Sequence, residues 1–357
     1  MQKYVPVISS SGKRLMPTSN KKADRLLTQG RAVRRFDRGL FYIKLLDRAN
    51  GYTQSIAVGI DPGSKKEALT VKSGAHTYLN IQADAVTWVK EAEETSTRMR
   101  RTRRGRKTPY RQMRTNRRQG QFKLPPSTRA RWGWKLRLCN WLARYYPIAT
   151  FVVEDVAAKT KPGQRRWNQS FSPLEVGKQW FYAELGKIAE VKTLQGYETK
   201  TERDKVGLKK SKQKMSDKFE SHCVDSWVLA NWQVGGHTEV DNPSMLYLVP
   251  LRFHRRQLHM LQPAQGGIRK PYGSTNSGGF KRGSWVKHPK YGVCYVGGTT
   301  GGTISLHSLQ TGQRITKVQP ETLRFLSRSS WRIRKEISAS LPAKTGSPRR
   351  MFLWSLI

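Results

Sequence analysis

Positive charge is what this chain has to accommodate before it can fold at all. Its 67 Lys and Arg face only 24 Asp and Glu, giving a formal net charge of +43 over 357 residues. A compact state with that imbalance repels itself unless a polyanion neutralises it. The acids are also unevenly spread. None occurs from residue 95 to 153, and none from 242 to 320. Hydrophobic residues make up 36% of the chain, enough for cores of two or three modest domains but low for a compact enzyme. Nucleic acid is the expected partner. A membrane span is not expected, because no apolar run reaches about 18 residues. The apolar stretch at Met1–Val7 is too short for a signal peptide. Cys139, Cys223 and Cys294 are widely spaced and form no CxxC pair, which excludes a Cys₄ zinc ribbon and argues against a disulfide framework. A reducing, cytoplasmic setting fits.

The two acid-free stretches differ in kind. In the first, Arg100, Arg104, Lys107, Arg111, Arg114 and Arg118 recur at spacings of 4, 3, 4, 3 and 4, one face of a helix. Arg98, Arg101, Arg103, Arg106 and Arg117 fill the other faces. A helix charged all round has no side for a protein core, so it is expected in a groove between nucleic-acid strands, its guanidinium forks on phosphates. Pro109 is expected to break it and start a second short helix. The rival reading is a disordered basic segment; its place between two strand-like segments weighs against that. The second stretch is rich in glycine, aromatic and β-branched residues. Ser284–His288, Gly292–Gly298, Thr303–His307 and Gln313–Val318 read as short strands, the pattern of a small SH3-like β-barrel.

The acids that remain sit where a hard cation would want them. Ser55–Asp61 reads as a strand ending in an acid. Pro62-Gly63-Ser64 turns, Ala68–Val71 returns, and Tyr78–Ile81 gives a third strand. Ala149–Glu154 is a second apolar strand ending in an acid, of the kind that lies buried in a mixed sheet with helices on its faces. Two such strands at one sheet edge would bring their carboxylates together, and a divalent cation relieves the repulsion. A helix over 217–234 carries His222 and Asp225 at i, i+3, facing one way. Asp61 has a rival role as a turn residue before Pro62-Gly63, and His222 as a helix-surface histidine. Side chains alternate along a strand, so only one of Glu154 and Asp155 faces the site. The apolar spacing leaves that choice open.

The order of these pieces resembles the RuvC-type nucleases of the RNase H-like fold: Asp61 on a first strand, Glu154 on a later one, His222-x-x-Asp225 on a late helix. The Arg-rich helix between the first two resembles the bridge helix of CRISPR type II effectors and their transposon-encoded relatives. Arg14-Leu15-Met16-Pro17 resembles the PLMP motif that opens IscB and IsrB proteins, with Arg14 in place of its first Pro. Arg255-Arg256-Gln257-Leu258-His259 and Gly266–Gly273 resemble the C-terminal part of that family. IscB carries an HNH nuclease between its second and third RuvC segments. Here no His occurs between Glu154 and His222, so the resemblance is to IsrB, the HNH-lacking relative. TnpB proteins fit less well, because their zinc-binding cysteine pairs are missing.

The resemblance implies an α/β protein with an RNase H-like RuvC core and this domain order: a PLMP-like domain (1–54), RuvC segment I (55–94), an Arg-rich bridge helix (95–122), RuvC segments II and III (123–240), an RNA-interacting linker domain (241–280), a β-barrel near the target-adjacent motif (281–335) and a loosely ordered tail (336–357). It implies a cytoplasmic, nucleoid-associated monomer, bacterial or archaeal. It would bind a structured guide RNA (ωRNA) and nick the displaced strand of a DNA duplex bearing a short adjacent motif. Asp61, Glu154 and Asp225 would hold two Mg²⁺ ions (Mn²⁺ as substitute), one activating a water and the other stabilising the leaving oxygen. His222 would orient or deprotonate the water. Arg252, Arg255 and Arg256, with the Arg-rich helix, would contact RNA; Lys281, Arg282, Lys287 and His288 would approach DNA, with generic surface charge as the alternative. Two other functions remain open: a structure-specific resolvase, and a non-catalytic RNA-binding protein.

Overall fold

The apolar run that ends at Asp61 becomes β5 (Ile56–Asp61), a strand with every residue buried, in the middle of a mixed sheet. The structure, a computed structural model, describes residues 2–104, 124–157, 172–213, 215–236, 239–252, 261–262, 267–268 and 276–337. Most of the Arg-rich stretch, including Arg106, Lys107, Arg111, Arg114, Arg117 and Arg118, lies outside them, as do Arg255, Arg256 and residues 338–357 of the tail. The chain divides into two compact units, Met1–Arg34 with Tyr42–Met245, and Arg35–Phe41 with Leu246–Ile357. None of the described helices is long and apolar enough to cross a membrane.

Near the start of the chain β1 (Tyr4–Ile8) pairs antiparallel with β2 (Arg14–Ser19). The Ser19 hydroxyl caps helix α1 (Asn20–Thr28) by accepting from the Lys22 amide. β3 (Ala32–Asp37) and β4 (Leu40–Leu45) follow, and β1 is parallel to β4 through Val7 and Ile43. Within the first unit, the sheet that carries the acids runs in the order β7-β6-β5-β8-β9. β5, β6 (Lys66–Ser73) and β7 (Thr77–Asp84) form the expected antiparallel meander. β8 (Ile148–Asp155) then joins β5 in parallel, and β9 (Glu190–Gln195) joins β8 in parallel.

Helices cover both faces. α2 (Trp88–Arg104) and α3 (Pro126–Leu142) follow the meander. α4 (Pro173–Gly186) and α5 (Gly196–Lys205) flank β9 in sequence, and α6 (Phe219–Val234) comes last. α3 and α4 meet at Gly177, where a Cβ would stand 2.2 Å from Nε1 of Trp132. Trp134 donates its indole N–H to the Asp84 carbonyl at 3.0 Å. α6 sits at the centre of the unit, with ten of its sixteen residues buried, the polar Ser221, Asp225 and Ser226 among them. It lies on β5 with almost no gap. A Cβ on Gly59 would come within 1.9 Å of the Ser226 carbonyl oxygen and 2.7 Å of the Ala230 amide nitrogen. Thr70 and Ser226 share a hydrogen bond of 2.8 Å across the same seam. The buried Lys72 ammonium donates to the Gly235 carbonyl at 2.9 Å and so closes the C-terminal end of α6. Burial lowers that amine to about 8.

The second unit is β-rich, as expected. β10 (Met245–Pro250) and the short strands β11 (Leu261–Gln262), β12 (Gly267–Ile268), β13 (Asn276–Ser277) and β14 (Phe280–Lys281) lead in. β15 (Ser284–His288), β16 (Gly292–Thr300), β17 (Thr303–Ser308) and β18 (Arg314–Val318) fall where the glycine-punctuated pattern put strands. With β19 (Arg324–Arg328) they form an antiparallel sheet ordered β18-β17-β16-β15-β19, and β20 (Trp331–Ile337) ends the described chain. Register shifts interrupt three of its four ladders; such bulges bend and coil a sheet. Val286, Cys294, Val296, Ile304, Leu306 and Leu323 form its buried apolar core.

Candidate metal centre

Parallel pairing of β5 and β8 brings the two strand-end acids together. Ile60 is opposite Val153, so one residue further on Asp61 and Glu154 stand side by side at the carboxyl edge, where open α/β sheets bind ligands. Side chains alternate, which puts Gly59 and Asp61 on one face of β5. Val152, packed with Leu229 of α6, and Glu154 share that face of β8. The tight approach at Gly59 then matters. It lets α6 come close enough for Asp225 to reach the same point, and the ligating oxygens of Asp61, Glu154 and Asp225 lie within 4.8 Å of one another. His222, on the same helix, sits with Nδ1 3.4 Å from Asp61 Oδ2. After Asp61 the chain must leave at once. Gly63 donates back to the Asp61 carbonyl at 3.1 Å, in a turn so close that a Cβ there would be 1.6 Å from the Lys66 carbonyl oxygen.

Asp155 points the other way. It accepts hydrogen bonds from Lys178 Nζ at 2.6 Å, the Tyr182 hydroxyl at 3.0 Å and Gln195 Nε2 at 2.9 Å. Burial works to raise its carboxyl, but those donors outweigh burial and hold it below the usual range. Glu154 is in the opposite position. Burial, then the charges of Asp61 and Asp225, push its carboxyl up to about 8.

Three mutually repelling carboxylates, with oxygen donors only, suit a hard divalent cation. The triad can therefore hold a metal ion. Two cations of the chain already lean on it. Arg203 Nη1 of α5 donates to Asp225 Oδ1 at 2.7 Å, and Lys210 Nζ donates to Asp225 Oδ2. Burial alone would pull the Lys210 amine down, but Asp225, Asp61 and Glu154 together hold it above its ordinary value. Neither residue stood out in the sequence, because both belong to a polar run (199–214) that reads as solvated surface.

Of the nucleic-acid candidates, Arg98, Arg100 and Arg101 are exposed on α2, whose helical span also includes Arg103 and Arg104. Arg252 and Lys281 are exposed, while Arg282, Lys287 and His288 are half-buried. His288 Nδ1 accepts from the Lys290 amide at 3.0 Å, so it also organises the β15–β16 turn.

A family model described as RRXRR protein matches residues 5–167, a span that includes Asp61, Glu154 and the run Arg100-Arg101-Thr102-Arg103-Arg104. No curated protein matches the chain. Among solved structures, T. thermophilus RuvC in complex with Holliday junction substrate is similar at 11% identity and a TM-score of 0.29, covering 51% of this chain and 97% of that one.

Proposed function

We propose that the chain is a Mg²⁺-dependent endonuclease that nicks DNA under the guidance of a structured RNA. The observation that carries this is the convergence of three carboxylates and a histidine, from two parallel strands and one helix, in a chain of net charge +43. A binding protein has no use for buried carboxylates held against one another. A nuclease does, because their repulsion is what a divalent ion relieves.

Asp61, Glu154 and Asp225 would hold the metal, with Mn²⁺ as a substitute for Mg²⁺. A bound divalent ion supplies Lewis acidity toward the phosphoryl oxygens of a phosphodiester. The chain's own groups do the rest. Arg203 fixes the Asp225 rotamer through its hydrogen bond to Oδ1. Asp61 orients the His222 ring through Nδ1, so that Nε2 takes the proton from the attacking water. Glu154 must lose its proton before it can ligate. Its raised pKa ties ligation to neutral or alkaline pH.

The partners follow from charge and from the resemblance. The Arg-rich stretch from Arg98 to Arg118, with Arg252, Arg255 and Arg256, would clamp RNA backbone. Lys281, Arg282, Lys287 and His288 would approach the DNA beside the target. With one such centre the product is a nick in the displaced strand, made by a cytoplasmic monomer arranged as the domain order above describes. The test is a supercoiled plasmid bearing a guide-matched target, given the protein with its co-expressed RNA and Mg²⁺. The reading requires an open-circular product that depends on RNA and is lost in Asp61→Ala. Linear product contradicts a single centre. Cutting of four-way junctions without RNA points to a resolvase, and RNA binding with no cleavage to a non-catalytic protein.

A further inference from the structure

The carboxylate cluster is not left to a metal alone. We propose that Lys210 is a built-in cation of the site, which competes with a divalent ion for Asp225 and thereby sets the site's divalent affinity. This rests on the reading of Asp61, Glu154 and Asp225 as a metal centre.

The geometry is specific. Asp225 is 2% exposed and its two oxygens are divided between two cations, Oδ1 to Arg203 and Oδ2 to Lys210. The lysine reaches it from the segment between α5 and α6, and the backbone pins it there. The Leu208 amide donates to the Arg203 carbonyl at 3.2 Å and the Ser211 amide to the Glu220 carbonyl at 2.8 Å. Lys210 is therefore held between two anchors, unlike a surface lysine that brushes a carboxylate. Asp61 and Glu154 lie within its electrostatic reach as well.

The two cations differ in what they can do next. The Arg203 side chain is 15% exposed and holds its oxygen through a rigid planar fork, so it stays. The Lys210 side chain is 33% exposed and ends in a point charge on a flexible stem. A divalent ion cannot share Oδ2 with an ammonium in direct contact, because like charges at that distance repel strongly. Metal entry therefore requires the lysine to swing toward solvent.

The test reads metal binding, which separates this inference from any failure of nuclease activity. Mn²⁺ is titrated calorimetrically into the full chain after high-salt removal of nucleic acid. Lys210→Gln is expected to bind Mn²⁺ roughly tenfold more tightly, about 1.4 kcal/mol, and Lys210→Arg to stay near the parent. An unchanged or weakened Kd in Lys210→Gln overturns the inference while leaving the metal centre standing. Absence of Mn²⁺ uptake by the parent chain overturns both. If Lys210→Gln folds only with Mn²⁺ present, release into a chelator replaces the titration. Slower release than the parent is expected, and equal or faster release refutes the competition.

Discussion

Replacing Gly59 by alanine adds one methyl group, yet it strikes the contact on which the whole site depends. The new Cβ would meet the Ser226 oxygen at 1.9 Å and the Ala230 nitrogen at 2.7 Å. Both are backbone atoms of α6, and they belong to one turn of its hydrogen-bond ladder, so neither can rotate away. Carbon–oxygen contacts settle near about 3.3 Å. The helix must therefore retreat by on the order of 1 Å, carrying His222 and Asp225 away from Asp61 and Glu154. Overpacking of this kind costs about 1–3 kcal/mol of stability, and a ligand displaced by about 1 Å costs catalysis roughly 100-fold. Gly133, in the middle of α3, is the control, because a Cβ there meets nothing within 4 Å. Gly133→Ala should be neutral or stabilising by up to about 1 kcal/mol. The assays are denaturant melts and Mn²⁺ titration of both variants. A Gly59→Ala protein with parental stability and parental Mn²⁺ affinity would refute the claim that this glycine brings helix and strand together to build the site.

Three further outcomes follow from the charges. Glu154 titrates near 8 in the folded chain against an ordinary 4.5, so the folded state keeps a proton that the unfolded state has lost across that window. Stability in chelator should therefore fall as pH rises from about 4.5 to 8, and the gain in Tm from Mg²⁺ should be larger at pH 8.5 than at pH 5.5; an equal gain at both argues against Glu154 as a ligand. Glu154→Gln should abolish that Mg²⁺-dependent gain without loss of stability in chelator. Asp155→Ala should keep the gain but lose about 3 kcal/mol in melts, since it deprives the buried Lys178 of a partner; the reverse pattern would exchange the two acids' roles. On the opposite face of the sheet, Lys135 Nζ donates to the buried Glu67 at 2.8 Å, and burial pushes the Glu67 carboxyl up to about 7. Lys135→Met should cost about 3–5 kcal/mol at pH 8 and less at pH 6, where Glu67 can take a proton; a pH-independent loss would mean the pair is not ionic.

How much of this was legible in the sequence depended on which physical signal each residue carried. Strands ending at Asp61 and Glu154 show because long apolar runs with an acid at the end have few other readings. The four strands from Ser284 to Val318 show because glycines punctuate them. The pairing of His222 with Asp225 on one face follows from helical spacing alone. Glu154 and Asp155 could not be separated from spacing, because helices cover both faces of β8 and its apolar residues do not alternate. Only the register with β5 and the donors around Asp155 distinguish them. Arg203 and Lys210 were invisible for another reason. A basic residue in a polar run carries no mark of the carboxylate it will meet 22 or 15 positions later. Nothing in the sequence marks Gly59 as a contact point, and its role exists only once α6 is laid over it.

The proposed function stands on Asp61, Glu154 and Asp225 being ligands of one divalent-metal centre. Crystals soaked in Mn²⁺ and measured at the manganese absorption edge test it most directly. An anomalous peak is expected among the three carboxylates, at roughly 2.0–2.3 Å from an oxygen of each, with the Lys210 ammonium moved off Asp225. Manganese bound elsewhere, or a cluster that stays empty at saturating Mn²⁺ with Lys210 still on Asp225, would contradict it.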